Sequence, residues 1–268
     1  MRTAISGLLF LGLFFSGCSR MPSSPEQAIA RVDARIYYPQ REGIHDLTAA
    51  VRCPHLDEHF QKKSEESTDA ALYLLEMLPL RIRFVWDVKE GGRYEYLSVP
   101  ESEKELRAFL DGAFAGTEIL VVPPTEEDNF QPFNVGFGPW EDKDRLIGIN
   151  KDPSSDFTQY TVMVDKSFKI VSKQYYSRDF VSTTVPTYRE EDHHLLLTDL
   201  ITLQKGTTLE QQVVSEVHLQ YQQVQGCWLV QSLEYVFKER RKEGDKTFRG
   251  PLTILFSDYR INQAGGEK

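Results

Sequence analysis

The sequence predicts an α+β fold in which one large, curved antiparallel sheet carries helices over its concave face. Three observations predict it. From Leu209 to Asn262 apolar and polar side chains alternate with a period of two between Gly-containing turns, the pattern of an antiparallel meander with one wet face. Short β-like runs recur from Leu146 onward, for about ten strands in all. The helical signatures are concentrated early in the chain.

Taken in order, Ser24-Pro25-Glu26-Gln27 reads as a helix start, with Ser at the N-cap and Pro at the first position. Ala28, Ile29, Val32 and Ile36 follow at helical spacing, and Pro39 and Gly43 end the element. Ile44 to Cys53 reads as a strand with Leu47, Ala49 and Val51 on one face. Pro54 breaks it, and His55 to Leu78 reads as helix in two pieces, separated at Ser64-Glu65-Glu66-Ser67. The second piece, Ala70 to Leu78, is apolar nearly all round and is expected to be covered on both sides.

Leu80, Ile82, Phe84, Trp86 and Val88 alternate as a strand, with Gly91-Gly92 expected to supply a two-residue hairpin returning through Arg93 to Val99. Ser102-Glu103-Lys104-Glu105 has the form of a capping box, ahead of an apolar stripe at Leu106, Phe109, Leu110, Ala113 and Phe114 that ends at Gly116. Ile119 to Val122 reads as a strand before Pro123-Pro124, followed by a loop holding Phe130, Phe133, Phe137 and Trp140. The β pattern resumes at Leu146 to Ile149, Thr158 to Val164 and Phe168 to Tyr176, with an Asp165-Lys166-Ser167 turn between the last two. Phe180 to Tyr188 and Leu195 to Leu203 then lead into the meander, whose strands run Val213 to Val224, Cys227 to Lys238 and Phe248 to Ile261.

Residues 1–17 have the form of a signal peptide: Arg2 is the positive end, and Ile5 to Phe15 form an apolar core too short for a stable span. Phe15-Ser16-Gly17-Cys18 resembles the lipobox of bacterial lipoproteins, which implies cleavage before Cys18 and acylation of its thiol. An ordinary secretory signal with a chance cysteine is the alternative. Residues 18–23 then form the lipidated cysteine and its tether, 24–262 one folded domain and 263–268 a frayed tail. Ser19 rather than Asp after the cysteine implies, by the same resemblance, an anchor in the outer membrane facing the periplasm. Cys53 and Cys227 remain as free thiols, or pair if their strands are neighbours. A net charge of −9 with no basic stripe argues against a nucleic-acid partner.

Three stretches resemble the LolA/LolB-like family of periplasmic lipoprotein carriers: the helix-to-strand segment Pro25 to Val51; Val217-x-Leu219-x-Tyr221 leading through Gly226 to Trp228; and the closing run Leu252 to Asn262. The resemblance implies an incomplete β-barrel lidded by helices, with an apolar cavity for acyl chains and no cofactor. The partners it implies are a membrane at the lipidated end and a lipid or lipoprotein ligand. The residues best placed to line such a cavity are Ile82, Phe84 and Trp86 on the strand and Leu106, Phe109, Leu110 and Phe114 on the helix. The same side chains packed against one another as a filled core would produce the same pattern, and would make this a structural envelope lipoprotein without a ligand.

A third reading is catalytic. His55-Leu56-Asp57-Glu58-His59 fits H-x-x-E-H, in which two His on one helical face hold zinc and Glu acts as base, with Glu126, Glu127 or Glu141 as third ligand. The mostly antiparallel β surroundings are not those of that peptidase class, so non-catalytic binding is the expected role. His193-His194 beside Glu190, Glu191 and Asp192 reads as a solvated loop between strands. Nucleophile elbow, P-loop and C-x-x-C are all absent from the sequence.

Overall fold

The computed structural model describes residues 22–66, 77–138, 142–206, 212–241 and 244–263. Cys18 and the leader therefore lie outside the described residues, as do Trp140, Glu141 and most of the second helical piece at Ala70 to Leu78. The architecture is α+β: twelve strands form one antiparallel sheet in the order β3-β2-β1-β12-β11-β10-β9-β8-β7-β6-β5-β4. They are β1 (Asp46–Arg52), β2 (Ile82–Asp87), β3 (Gly91–Tyr96), β4 (Phe133–Gly138), β5 (Asp142–Asn150), β6 (Phe157–Val164), β7 (Ile170–Ser177), β8 (Phe180–Glu191), β9 (His194–Gly206), β10 (Gln212–Val224), β11 (Cys227–Arg241) and β12 (Gly244–Ile261). The order is that of a continuous meander from β4 to β12, which then pairs with β1 and runs on to β3. Strands β3 and β4 end the sheet, so it stays open and does not close into a barrel. Among the described residues no helix is long and apolar enough to cross a membrane.

Helices lie on the face of the sheet that carries its buried residues, the inner face. Helix α1 (Pro25–Arg35) starts as its sequence dictates: Ser24 is extended, its hydroxyl accepts from Gln27 N–H at 3.4 Å, and Pro25 takes the first position. It stops one residue before Ile36, which is extended and bridges to Leu195. Helix α2 (Pro54–Glu66) follows β1 directly, then come α3 (Lys104–Phe114), α4 (Glu118–Val121) and α5 (Glu126–Phe130) between β3 and β4. Two apolar clusters result. One gathers β1, β2, β10–β12, α2, α3 and α4, and the other gathers α1, α5 and β4–β7.

Several local expectations are corrected. Ile119 to Val122 is one helical turn, not a strand, because Val122 N–H returns to the Glu118 carbonyl; a four-residue apolar run carries no period that separates the two. The loop before Trp140 holds α5 and β4. Ser102 does not cap α3: the cap position is Glu103, with no side-chain bond. Arg107 secures that end instead, donating to the carbonyls of Pro100 at 3.1 Å and Val99 at 2.5 Å. The β2–β3 turn is not the two residues Gly91-Gly92 but Val88-Lys89-Glu90 with Gly91 at φ 78, and Asp87 accepts from the N–H groups of Lys89 and Glu90. Phe168 stands at φ 63 in the turn before β7 and does not start the strand. Cys53 and Cys227 form no disulfide with each other, for β12 lies between β1, which ends just before Cys53, and β11, which begins at Cys227.

The meander itself stands as its alternation predicts. Gln225 and Gly226 both adopt positive φ (52 and 85), the geometry of a tight two-residue hairpin turn between β10 and β11. Val217, Leu219, Leu229 and Leu233 are buried on the inner face.

Candidate functional site

Two groups of side chains occupy the inner face, one apolar and one charged. The apolar group lies where β1, β2, β3 and β12 meet α3. Period-two alternation puts Ile82, Phe84 and Trp86 of β2 inward beside Leu47, Ala49 and Val51 of β1, and all six are buried. Helical spacing puts Leu110, Ala113 and Phe114 of α3 over them. The rings are in contact: Phe84 lies 5.3 Å from Tyr94 and 6.0 Å from Phe256, and Tyr94 lies 4.6 Å from Phe114.

Of the seven residues proposed from sequence as cavity lining, Ile82, Phe84, Trp86, Leu110 and Phe114 thus come together in one packed cluster, with Leu106 half-buried at its border. Phe109 does not join them. It is 42% exposed, and its ring stacks on His59 of α2 at 6.1 Å and meets Phe60 edge-on at 6.0 Å. Residue 109 sits one residue before Leu110, about 100° round the helix, and so falls on the flank of α3 that faces α2.

Helix α3 is fastened chiefly to β3, an end strand. Tyr96 donates to Asp111 at 2.9 Å, and the Tyr94 hydroxyl meets that of Thr117 at 2.8 Å just beyond the helix. Burial raises the pKa of both phenols, so both stay neutral hydrogen-bonding groups.

The charged group lies against α1 and α5. Asp33, on the buried stripe of α1, accepts from Tyr38 hydroxyl at 2.8 Å, Arg41 at 3.1 Å, and the first N–H groups of α5, Glu126 at 2.8 Å and Glu127 at 3.1 Å. The acceptor of one helix thereby caps another that is remote in sequence. Burial nonetheless raises the Asp33 pKa against those four donors. Thr125 and Asp128 complete a reciprocal capping box on α5. From α5 the Glu126 side chain enters the sheet, where it pairs with Lys173 of β7 and accepts from Tyr160 hydroxyl at 2.7 Å and Asn129 amide at 3.3 Å. Desolvation works against the Lys173 charge, but the Glu126 carboxylate beside it outweighs that and its pKa is raised. Beside the pair lies a cavity of about 50 Å³ bordered by Tyr188, Tyr221, Leu197 and Pro123. Sequence reading missed this cluster, since Asp33, Glu126 and Lys173 come from three separate elements. Its one local signal is Thr125-x-x-Asp128 after Pro124, a helix start.

The zinc constellation is not assembled. His55 and Glu58 are exposed on α2, His59 is occupied with Phe109, Glu126 holds Lys173, Glu127 is exposed on α5 with its backbone N–H donated to Asp33, and Glu141 lies outside the described residues. Among the described residues no three His, Cys, Asp or Glu side chains converge as a metal site. Asp192 and His193 form the β8–β9 turn, at φ 46 and 71, and His194 faces the Tyr37 ring at 6.1 Å.

No family model matches the chain, and no curated protein matches it. A solved structure described as a putative outer membrane lipoprotein-sorting protein domain from Vibrio parahaemolyticus is 13% identical, with 90% of this chain and 93% of that chain covered, at a TM-score of 0.32. A likeness at that level carries no weight for fold or function.

Proposed function

We propose that the chain is a non-catalytic binding protein for a lipid or a lipidated partner, taken up on the inner face beneath α3. The observation that carries this reading is the open end of the sheet: among the described residues β3 has no strand beyond it, and α3, whose apolar stripe covers the inner face, is fastened to that same strand. An element tied to an end strand can swing without breaking the ladder of the other strands. In the closed arrangement Phe84, Tyr94, Phe114 and Phe256 fill the space between helix and sheet, so an acyl chain enters by displacing α3 and replacing those contacts. Burial of a sixteen-carbon chain contributes on the order of 10 kcal/mol, at about 0.8 kcal/mol per CH₂, enough to offset the packing that α3 gives up. Ile82, Phe84, Trp86, Leu106, Leu110 and Phe114 are the proposed contact residues, and Phe109, on the flank toward α2, is proposed to meet the ligand only when α3 moves. Acylation at Cys18 and a place in the cell envelope belong to the same proposal.

Mass spectrometry under native conditions tests it on protein purified without added lipid. The expected result is a population carrying a bound lipid, reduced in Phe84→Ala and Phe114→Ala variants. A bare polypeptide that also fails to take up added palmitate overturns the proposal in favour of a filled core. A retained zinc ion lost on replacing His55 and His59 overturns it in favour of the peptidase.

A further inference from the structure

On the opposite, outer face of the sheet, β1, β2 and β12 form a groove of about 530 Å³. Its walls carry Arg52, Arg81, Arg83 and Arg260, with Asp258 as the one acidic residue lining it. The period of two explains the assembly. Ala50 of β1 pairs with Arg83 of β2, Arg52 follows two residues along β1, Arg81 stands just before β2 and two residues from Arg83, and Arg260 of β12 pairs with Thr48. All therefore project away from Leu47, Ala49 and Val51. Ala50 gives the groove its shallow floor, and the 52% exposed Leu97 borders it.

Arg83 is satisfied, donating to Glu95 at 2.9 Å. The guanidinium groups of Arg52, Arg81 and Arg260 have no side-chain partner among the described residues. Three like charges on one sheet face against the single carboxylate of Asp258 cost folding stability. In a chain of net charge −9 such a concentration of cations is also a local reversal of sign. A guanidinium fork matches phosphate oxygens two at a time. The exposed apolar border beside the forks suits an amphiphile better than a free anion or an acidic peptide.

We propose that this groove docks the chain on the phosphate headgroups of anionic phospholipids, at a surface separate from the inner-face site. The full-length chain carrying Cys18→Ser, which has no thiol to acylate, is mixed with phosphatidylcholine vesicles or with vesicles in which about a third of the lipid is phosphatidylglycerol, and capture is measured by flotation. An arginine near an anionic surface contributes about fivefold, so the anionic vesicles are expected to capture at least about tenfold more. That preference should shrink as salt rises. It should vanish in the Arg52→Gln, Arg81→Gln, Arg260→Gln variant; should that triple variant misfold by circular dichroism, each single variant is expected to lower the preference about fivefold. Equal capture on both vesicles, or an anionic preference that survives the substitutions, overturns the proposal. So does binding of inorganic phosphate or of a poly-glutamate peptide to the same arginines without any vesicle preference.

Discussion

Glu126 shows how much can depend on one side chain. It receives Tyr160, Asn129 and the ammonium of Lys173, while its own N–H is held by Asp33. A buried pair of this kind contributes little net stability when intact, because desolvation offsets the attraction, but losing one partner leaves the other charge stranded. Glu126→Gln is therefore expected to lower unfolding stability by about 3 kcal/mol, read from urea denaturation, with much of the loss recovered when Lys173→Met is added. A single variant as stable as the parent would show that Lys173 reaches water instead. None of this was legible locally. Glu126 stood out in the sequence only as a possible metal ligand, and nothing in the residues around it announces a lysine on a strand some way along the chain.

Among elements, α5 and β4 illustrate a short segment whose place is set by one missing side chain. Gly148 of β5 lies under Phe133 and Phe130, and a Cβ there would stand 2.7 Å from the Phe133 Cβ and 3.1 Å from the Phe130 ring. Those two rings are the ones that pack on Tyr160, Phe130 at 4.7 Å and Phe133 at 5.9 Å. Gly148→Ala should destabilise by about 1–3 kcal/mol through overpacking, measured as a lowered urea midpoint. An unchanged midpoint would mean that β4 shifts freely at the end of the sheet. The same contrast separates the elements that sequence located from those it did not. The β10–β11 hairpin, β2 and α1 are long enough to show a period and carry their own turn or cap residues, whereas α4, α5 and β4 are too short to show one. Ser102 had the right residue types for a cap but lost the position to a loop that Arg107 holds.

Across the whole molecule, buried phenols lie in both apolar clusters and in the charged group between the helices and the sheet. Burial raises their pKa values from 10.0, pushing Tyr188 up to about 12 and raising Tyr160, Tyr221 and Tyr259 as well. A folded pKa above the unfolded one gives stability that is complete below the unfolded value and lost as pH rises through the folded value. Stability should thus hold up to about pH 10 and fall between there and about pH 12, with phenolate absorbance at 295 nm and circular dichroism changing together. Ionisation of all the tyrosines near pH 10 with the circular dichroism unchanged would contradict this. Sequence alone determined the fold class, the faces of β1 and β2, the meander and the apolar stripe of α3, because hydrophobic period is local and each of these elements spans several repeats of it. Tertiary structure alone decided that the sheet stays open between β3 and β4, that Phe109 turns toward His59 while Phe114 turns inward, and that Asp33, Glu126 and Lys173 meet. It also gathered the arginines of three strands on the outer face. Those outcomes depend on strand order and register, which bring together residues far apart in the chain and which no local pattern encodes.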